Sequence, residues 1–183
     1  MCVCVFFLES GCGAGLASLV AAKLGATKVF ATDGNDEVIN LAKANIDTNQ
    51  LSSLVQATKL QWGILDASDY SDTAEIVMGS DLTYNAGTWR VLAETVVSIL
   101  RPGGVFVYLS LGHQGFNVAG EMDGFLTVAQ NVGLVELTTK NDVWPFQGGA
   151  GFLTKALLDC ISKDEKAILE ATGGVKVLLL TRK

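Results

Sequence analysis

Short apolar runs rich in β-branched residues alternate along the chain with longer segments in which apolar residues recur at helical spacing. The apolar runs predict seven strands, at residues 2–9, 28–33, 55–63, 75–84, 104–111, 134–140 and 174–183. The segments between them predict helices at residues 16–24, 37–49, 88–100, 122–132 and 153–171. This alternation is typical of the α/β class and predicts a doubly wound, mostly parallel, seven-stranded Rossmann-like sheet with helices on both faces.

Length and composition indicate one globular domain covering residues 1–183, because 49% of the residues are hydrophobic and only 17% are charged. A formal net charge of −6 argues against a nucleic-acid partner, which would need a basic surface. Charged residues interrupt every apolar run before it reaches membrane-spanning length, so we expect no membrane partner. The opening "MCVCVFFL" lacks a basic leader and predicts a strand rather than a signal peptide.

The four cysteines, Cys2, Cys4, Cys12 and Cys160, show no zinc-type spacing, and the single His113 does not complete a metal site. We therefore expect no metal, and reduced, buried thiols in a cytosolic protein.

Three glycines, Gly11, Gly13 and Gly15, follow the first predicted strand and precede the first predicted helix. Glycines at such a turn let the backbone approach a ligand closely, so the pattern indicates a nucleotide-like ligand. The alternative is a tight turn that only packs helix on strand. The G-x-G-x-G spacing differs from the dinucleotide fingerprint, which has its third glycine where Leu16 stands, so a dehydrogenase is disfavoured.

Asp33 ends the second predicted strand, where a carboxylate can accept hydrogen bonds from both hydroxyls of a ribose. The alternative role is a helix N-cap, but Asn35 or Asp36 lies closer to the predicted helix start and is better placed to cap it.

Several motifs resemble those of class I S-adenosylmethionine-dependent methyltransferases: "LESGCGAG", "ATDGN" and the "LRPGG" turn before the fifth predicted strand. The chain is most similar to the protein-lysine methyltransferases of methyltransferase family 16, through "GLASLVAAKLGA", "ATDGNDEVINLAKANIDTN", "LQWG" and "GSDLTYN". The resemblance is good over residues 5–110 and becomes general fold similarity beyond them.

The resemblance implies S-adenosyl-L-methionine as cofactor and assigns roles to particular residues. Glu9 and the loop Gly11–Gly15 would hold the methionine end, and Asp33 would hold the ribose with Gly34 and Asn35 beside it. Trp62 would lie against the adenine, although an aromatic residue at a strand end is otherwise more often part of the core. Ser80 would line the pocket, and Asp81 and Tyr84 would face the substrate.

Asp81 and Tyr84 suit methyl transfer to nitrogen. A carboxylate accepts hydrogen bonds from an amine, and an aromatic ring stabilises cationic character. The alternative is that Asp81 caps a turn and Tyr84 packs over it. His113 is a further candidate base, although an exposed loop histidine is more common. Trp144, Pro145 and Phe146 either line a substrate groove or pack over the sheet edge.

Three features depart from the family pattern. Only eight residues precede Glu9, so the usual N-terminal segment is absent, supplied by another chain or lost through truncation, and we expect a site open on one side to hold the cofactor more weakly. Ser10 replaces an apolar residue, and the arginine usual after the fifth strand is not evident. The sequence therefore predicts a cytoplasmic N-methyltransferase acting on a protein lysine. The alternatives are a small-molecule methyltransferase and a degenerate cofactor-binding interaction domain.

Overall fold

A seven-stranded sheet organises the computed structural model, which describes residues 5–64, 70–110, 118–137 and 176–182. The strands β1 to β7 are Phe6–Ser10, Lys28–Asp33, Val55–Lys59, Ala74–Ser80, Leu100–Ser110, Leu134–Glu136 and Lys176–Arg182. The helices α1 to α4 are Leu16–Lys23, Asp36–Thr48, Trp89–Ile99 and Val118–Asn131. A short 3₁₀ turn, Ala86–Thr88, leads into α3.

The strand order is β3-β2-β1-β4-β5-β7-β6. The neighbouring pairs from β3 to β5 are parallel, whereas β7 runs antiparallel to both β5 and β6. The predicted seven-stranded, mostly parallel sheet is therefore confirmed, with β7 as the reversed strand. Parallel order brings the carboxyl ends of β1, β2 and β4 to one edge, where doubly wound sheets bind ligands.

Successive strand residues join two different core clusters, because side chains alternate between the faces of a sheet. In β1, Phe7 packs with buried residues of α1 and α2, whereas Leu8 packs with buried residues of α3 and α4. In β5, Val107 and Tyr108 divide in the same way. Within the described part of the chain, no helix combines the length and the apolar character needed to cross a bilayer.

Two predicted strands end earlier in the structure. The third stops at Lys59 rather than at residue 63, and the fourth stops at Ser80 rather than at residue 84. Asp81 has a φ of 53°, in the left-handed region, which turns the chain out of the sheet after β4. Both corrections lie at the sheet edge that faces the predicted site.

The fifth strand begins earlier than predicted, at Leu100 instead of residue 104, and includes the "LRPGG" segment. Leu100 pairs with Ala74 and the next pairing is Val105 with Ile76, so the residues between them bulge out of register. Gly104 is required here, because a Cβ would lie 2.8 Å from the carbonyl oxygen of Ala74. The predicted turn is thus a bulge within β5.

The remaining element bounds differ modestly. α4 begins at Val118 rather than at residue 122, and β6 ends at Glu136. The other helix bounds differ from prediction by one residue, at the end of α1 and at both ends of α2 and α3. The predicted helix at 153–171, the thiols Cys2, Cys4 and Cys160, the candidate base His113 and the Trp144–Phe146 segment lie outside the described residues.

Candidate functional site

A cleft of about 520 Å³ lies at the carboxyl ends of β1, β2 and β4. Most of the site residues predicted from the sequence line it: Gly11, Gly13, Asp33, Gly34, Asn35, Trp62, Ser80, Asp81 and Tyr84. Leu60, Gln61 and Leu82 complete its lining. The structure therefore brings together residues from four separate segments of the chain.

A second groove of about 720 Å³ lies between α2 and the edge strand β3. It is larger, but it shares none of the predicted cofactor or substrate residues. Its lining carries residues of both charges, including the ion pair Lys59–Asp36. We therefore place the ligand site in the smaller cleft, where the glycine loop and the strand ends meet.

The three glycines of the loop have different surroundings, although all three have a positive φ, between 52° and 82°. Gly11 lies against Leu82, since a Cβ at Gly11 would be 2.5 Å from Leu82 Cδ2. Gly13 is exposed, and a Cβ there would meet no atom within 4 Å. Gly15 is the N-cap of α1 and faces Ala42 of α2, outside the cleft lining. Gly11 and Gly13 are thus the glycines beside the ligand space.

Backbone amides of the glycine loop donate to acceptors within the protein. Cys12 N donates to Thr32 O at 2.8 Å, Gly13 N to Asp33 Oδ2 at 3.4 Å, and Gly15 N to Cys12 O at 2.8 Å. A phosphate-binding loop instead aims such amides at the anion. With carboxylates on either side of it, this loop favours a ligand without phosphate.

Asp33 connects two loops through its carboxylate. Oδ2 accepts the hydrogen bond from Gly13 N, and Oδ1 accepts one from Asn35 N at 3.0 Å. Asn35 itself caps α2, because its side chain accepts from Glu37 N at 2.8 Å. The capping role therefore belongs to Asn35. An ionised carboxylate has about four acceptor positions, so Asp33 retains capacity for ligand hydroxyls.

Glu9 lies behind the glycine loop rather than in the cleft lining. Its buried carboxylate accepts hydrogen bonds from Ser18 N at 2.8 Å and Ser18 Oγ at 2.6 Å, which anchors α1 to β1. Burial raises the pKa of Glu9, against the lowering effect of these two hydrogen bonds. Direct contact between Glu9 and the methionine end of a cofactor stays a prediction.

Cys12 is a buried free thiol inside the glycine loop. Burial, with the nearby carboxylates of Glu9 and Asp33, raises the pKa of Cys12 to about 12. The thiol therefore stays protonated near neutral pH and packs as a small apolar group.

Trp62 both lines the cleft and packs against the core, and its contact with an adenine stays a prediction. Its Nε1 donates to the hydroxyl of Ser10 at 2.9 Å. The segment around it is further fixed by Leu60 N donating to Asp33 O at 2.9 Å and Gly63 N donating to Thr95 Oγ1 at 3.1 Å. Ser10, which stands where the family usually has an apolar residue, thus has a hydrogen-bond partner in the cleft lining.

Asp81 to Tyr84 form the turn that leaves β4, which we call the post-β4 loop. Asp81 N donates to Leu109 O at 2.9 Å, which holds the start of the loop against β5. Tyr84 is 58% exposed at the mouth of the cleft, and Asp81 is half-buried. These two residues follow β4, whereas Asp33 ends β2, and β1 lies between β2 and β4 in the sheet. The Asp81 carboxylate and the Tyr84 ring therefore lie across the cleft from Asp33.

The sequence reasoning missed three lining residues, Leu60, Gln61 and Leu82. They were assigned to the interiors of predicted strands, where a leucine indicates core. The early ends of β3 and β4 bring these residues to the cleft lining, while Leu60 and Leu82 also stay buried in the core. Within residues 5–64, 70–110, 118–137 and 176–182, no cluster of histidine, cysteine or carboxylate side chains has the geometry of a metal site.

A family model described as lysine methyltransferase matches residues 3–115. The calmodulin-lysine N-methyltransferase of Arabidopsis thaliana is 31% identical over 144 residues, covering 75% of this chain and 46% of that protein. The ribosomal protein L11 methyltransferase of Alkaliphilus metalliredigens is 31% identical, covering 54% and 29%. The protein-lysine N-methyltransferase EFM3 of Chaetomium thermophilum is 33% identical, covering 52% and 32%. The chain thus spans less than half the length of these curated relatives.

Solved structures share the fold. A TehB-like SAM-dependent methyltransferase from Corynebacterium glutamicum superposes with a TM-score of 0.60 at 18% identity, covering 98% of this chain and 80% of that one. The [4+2]-cyclase SpnF superposes with a TM-score of 0.68 at 14% identity, covering 98% and 75%. Because a cyclase has this fold too, the fold alone does not specify the reaction.

The cleft residues fit S-adenosylmethionine. The ligand carries positive charge and a ribose, and it lacks phosphate. The cleft offers the Asp33 carboxylate, an open glycine turn and the Trp62 ring, while the loop amides bond within the protein. Together with the family match over more than half of the chain, these features show that the protein is a member of the lysine methyltransferase family and that its cofactor is S-adenosylmethionine.

Proposed function

We propose that this protein transfers a methyl group from S-adenosylmethionine to the side-chain nitrogen of a lysine in a protein substrate. The observation that carries the proposal is that Asp81 and Tyr84 line the same cleft as Asp33 and Trp62. Two relatives named as lysine N-methyltransferases support the choice of lysine.

We assign the cofactor to the side of the cleft formed by β1, β2 and the segment after β3. Gly11 and Gly13 permit close approach of the methionine end, and Glu9, whose carboxylate anchors α1 to β1 next to the loop, is the further contact proposed for it. Asp33, with Gly34 and Asn35 at the start of α2, accepts the ribose hydroxyls. Trp62 and Leu60 supply a flat apolar contact for the adenine. When bound, the cofactor supplies a methyl group already activated by its sulfonium.

The post-β4 loop would receive the lysine. A lysine amine attacks only in its neutral form, so the site must favour loss of a proton and orient the lone pair. The carboxylate of Asp81 accepts N–H hydrogen bonds from the amine and fixes its direction. The Tyr84 ring stabilises the ammonium that forms, and Ser80 lines the floor between the two ligands. Most of the barrier reduction would come from alignment in a partly desolvated cleft.

We also infer that the sheet is doubly wound, with helices over both faces. The support is that α1 and α2 pack with one set of alternate strand residues, and α3 and α4 with the other. This arrangement leaves the carboxyl edge of the sheet open for the two ligands.

The test uses tritiated S-adenosylmethionine and purified calmodulin, a protein substrate suggested by the name of one relative. Calmodulin whose lysines have been chemically acetylated serves as the blocked substrate, because the amide nitrogen of acetyl-lysine does not accept a methyl group. Asp81→Asn removes the charge at nearly constant shape. Asp123→Asn, at an exposed position on α4, is the matched control.

Lysine methylation predicts transfer to calmodulin and none to the blocked form, with Asp81→Asn at least ~100-fold slower and Asp123→Asn unchanged. The same assay is repeated with a mixture of basic proteins, because the substrate protein is part of the proposal. Transfer that survives lysine blocking would exclude lysine as the acceptor. Cofactor binding without transfer to any protein would favour a non-catalytic binding domain or a small-molecule methyltransferase.

A further inference from the structure

We propose that Tyr108, Thr83 and Glu121 form a positioning relay that fixes the post-β4 loop, and through it Asp81 and Tyr84, in the conformation needed for methyl transfer. The inference rests on the proposed function, because it concerns the residues that would receive the lysine. None of the three relay residues lines the cleft, so each would act through the loop rather than on the substrate.

The relay begins at two backbone amides of the loop. Leu82 N and Thr83 N each lie 3.0 Å from the hydroxyl oxygen of Tyr108, near the carboxyl end of β5. An amide only donates, so the Tyr108 oxygen accepts both hydrogen bonds. Its own proton then has one available direction among these contacts, toward Thr83 Oγ1 at 2.7 Å. Thr83 Oγ1 in turn donates to Glu121 Oε1 of α4.

The hydrogen bonds therefore run in a single direction, from the loop amides to Tyr108, then to the Thr83 hydroxyl, and finally to a carboxylate. All three side chains are almost fully buried, at 0%, 1% and 2% exposure for Tyr108, Thr83 and Glu121. Water cannot easily replace a partner at such a depth, so breaking one bond leaves polar groups unsatisfied or moves the loop. The terminal carboxylate acts as an acceptor that orders both hydroxyls.

Other contacts fix the loop on its remaining sides. The indole Nε1 of Trp89, at the start of α3, donates to Thr83 O at 2.8 Å. Asp81 N donates to Leu109 O, and the Leu82 side chain lies against Gly11 and Gly79. β5, α3, α4 and the glycine loop thus all hold residues 81–83.

The reason for this fixation is the conformation of Asp81. Its φ of 53° is unfavourable for a residue with a side chain and persists only where the surroundings impose it. The relay acts on Leu82 and Thr83, which directly follow Asp81 and precede Tyr84. Without it, the loop would relax toward ordinary dihedral angles and turn the Asp81 carboxylate and the Tyr84 ring away from their places at the cleft. Close alignment is what the transfer requires.

The first arm of the test measures activity and cofactor affinity of full-chain variants. Thr83→Val removes the hydroxyl at constant shape and keeps both backbone bonds to Tyr108, whereas Thr83→Ser restores the hydroxyl. Thr73→Val is the control: its hydroxyl donates to the backbone carbonyl of Tyr70, near the start of β4. We expect Thr83→Val to lower kcat roughly 10- to 100-fold, with less than about a twofold change in the Kd for S-adenosylhomocysteine.

Thr83→Ser should return kcat to within about threefold of the wild type, and Thr73→Val should leave it unchanged. Glu121→Gln retains an Oε1 acceptor and should stay near the wild type, whereas Glu121→Leu should behave like Thr83→Val. A loss of cofactor affinity equal to the loss of kcat would overturn the inference, since it would indicate a general disturbance of the cleft.

The second arm requires no substrate. Hydrogen exchange of the Leu82 and Thr83 amides should be at least ~10-fold faster in Thr83→Val than in the wild type or Thr83→Ser. Unchanged exchange overturns the inference, as does faster exchange with an unchanged kcat. If the wild type methylates no protein at all, the proposed function fails at that control. The exchange rates then decide alone whether the relay holds the loop.

Discussion

The indole Nε1 of Trp62 donates a 2.9 Å hydrogen bond to the hydroxyl of Ser10, which joins the segment after β3 to the carboxyl end of β1. Ser10 is 2% exposed, so this bond forms beneath the cleft surface rather than in solvent. The bond fixes the plane of the Trp62 ring, which we propose packs against the adenine of the cofactor. A serine at this position therefore has a function that an apolar residue lacks.

From this pair we predict that Ser10→Ala lowers affinity for S-adenosylhomocysteine roughly 5- to 10-fold, equivalent to about 1 kcal/mol for one buried hydrogen bond. Trp62→Phe should lose a similar amount, since the phenyl ring keeps an apolar face but lacks the N–H. Calorimetric titration of the two single variants and the double variant measures their coupling. The double variant should be little worse than either single one, and fully additive losses would contradict the pairing.

Asp33 offers a second prediction about the cofactor. Asp33→Ala should weaken S-adenosylhomocysteine binding about 10- to 100-fold, because it removes the charged hydrogen bonds that we propose to the ribose and releases Gly13 N. Asp36→Ala is the control, since it removes an equal charge three residues away whose exposed ion pair with Lys59 contributes at most about 1 kcal/mol. Calorimetry at one salt concentration compares the two. Equal effects would mean that the local charge, rather than a ribose contact, is what matters.

The glycine loop gives a prediction about stability. Gly11→Ala should destabilise the fold by about 2–4 kcal/mol, since it combines a left-handed φ of 67° with a Cβ only 2.5 Å from Leu82 Cδ2. In Gly13→Ala the new Cβ would meet open space, so only the unfavourable left-handed φ should lower the free energy of unfolding, by about 1 kcal/mol. Urea unfolding of both variants checks the difference. Adding Leu82→Ala to Gly11→Ala should show less than additive loss, and strict additivity would argue against the steric contact.

Much of the fold could be predicted because its causes are local. Helix α2 follows from its periodicity and from the capping preference of Asn35, and β2 was predicted with its observed bounds. The predicted carboxyl ends of β3 and β4 were wrong. A hydrophobic pattern does not reveal where the backbone turns out of a sheet, as it does at Asp81 with its left-handed φ. The glycine loop and Asp33 could be predicted because strand ends in a parallel sheet converge, whereas Trp62, Ser80, Asp81 and Tyr84 were expected in the cleft from the family resemblance.

Other features depend on contacts between residues distant in the sequence. Ser10 and Trp62 are 52 positions apart, and nothing in either segment indicates that their side chains meet. The partner of Glu9 could not be predicted for a similar reason. Ser18, on the following helix, donates to this carboxylate from both N and Oγ, whereas the ligand contact implied by the family resemblance stays a prediction.

The buried Glu9 carboxylate should make stability depend on pH in a defined direction. Its pKa is raised above the ordinary value of 4.5, chiefly by burial, so the folded protein binds a proton here more readily than the unfolded chain does. The stabilising contribution of this proton is complete below pH 4.5 and is lost as the pH rises through the folded-state pKa. The loss amounts to about 1.4 kcal/mol for each unit by which the pKa is raised.

Glu9→Gln isolates this contribution, because glutamine keeps an oxygen that accepts from Ser18 but does not titrate. The free energy of unfolding of Glu9→Gln minus that of the wild type should increase from pH 4.5 upward and then level off. Urea titrations of both proteins from pH 4 to 7.5 measure it, and other titrating groups cancel in the difference. Ser18→Ala should raise the folded-state pKa of Glu9 further, since it removes the hydroxyl donor that favours the charged form. In that background, the difference in unfolding free energy between Glu9→Gln and Glu9 should keep increasing to a higher pH before it levels off. A difference that decreases with pH would show instead that the two hydrogen bonds from Ser18 outweigh burial.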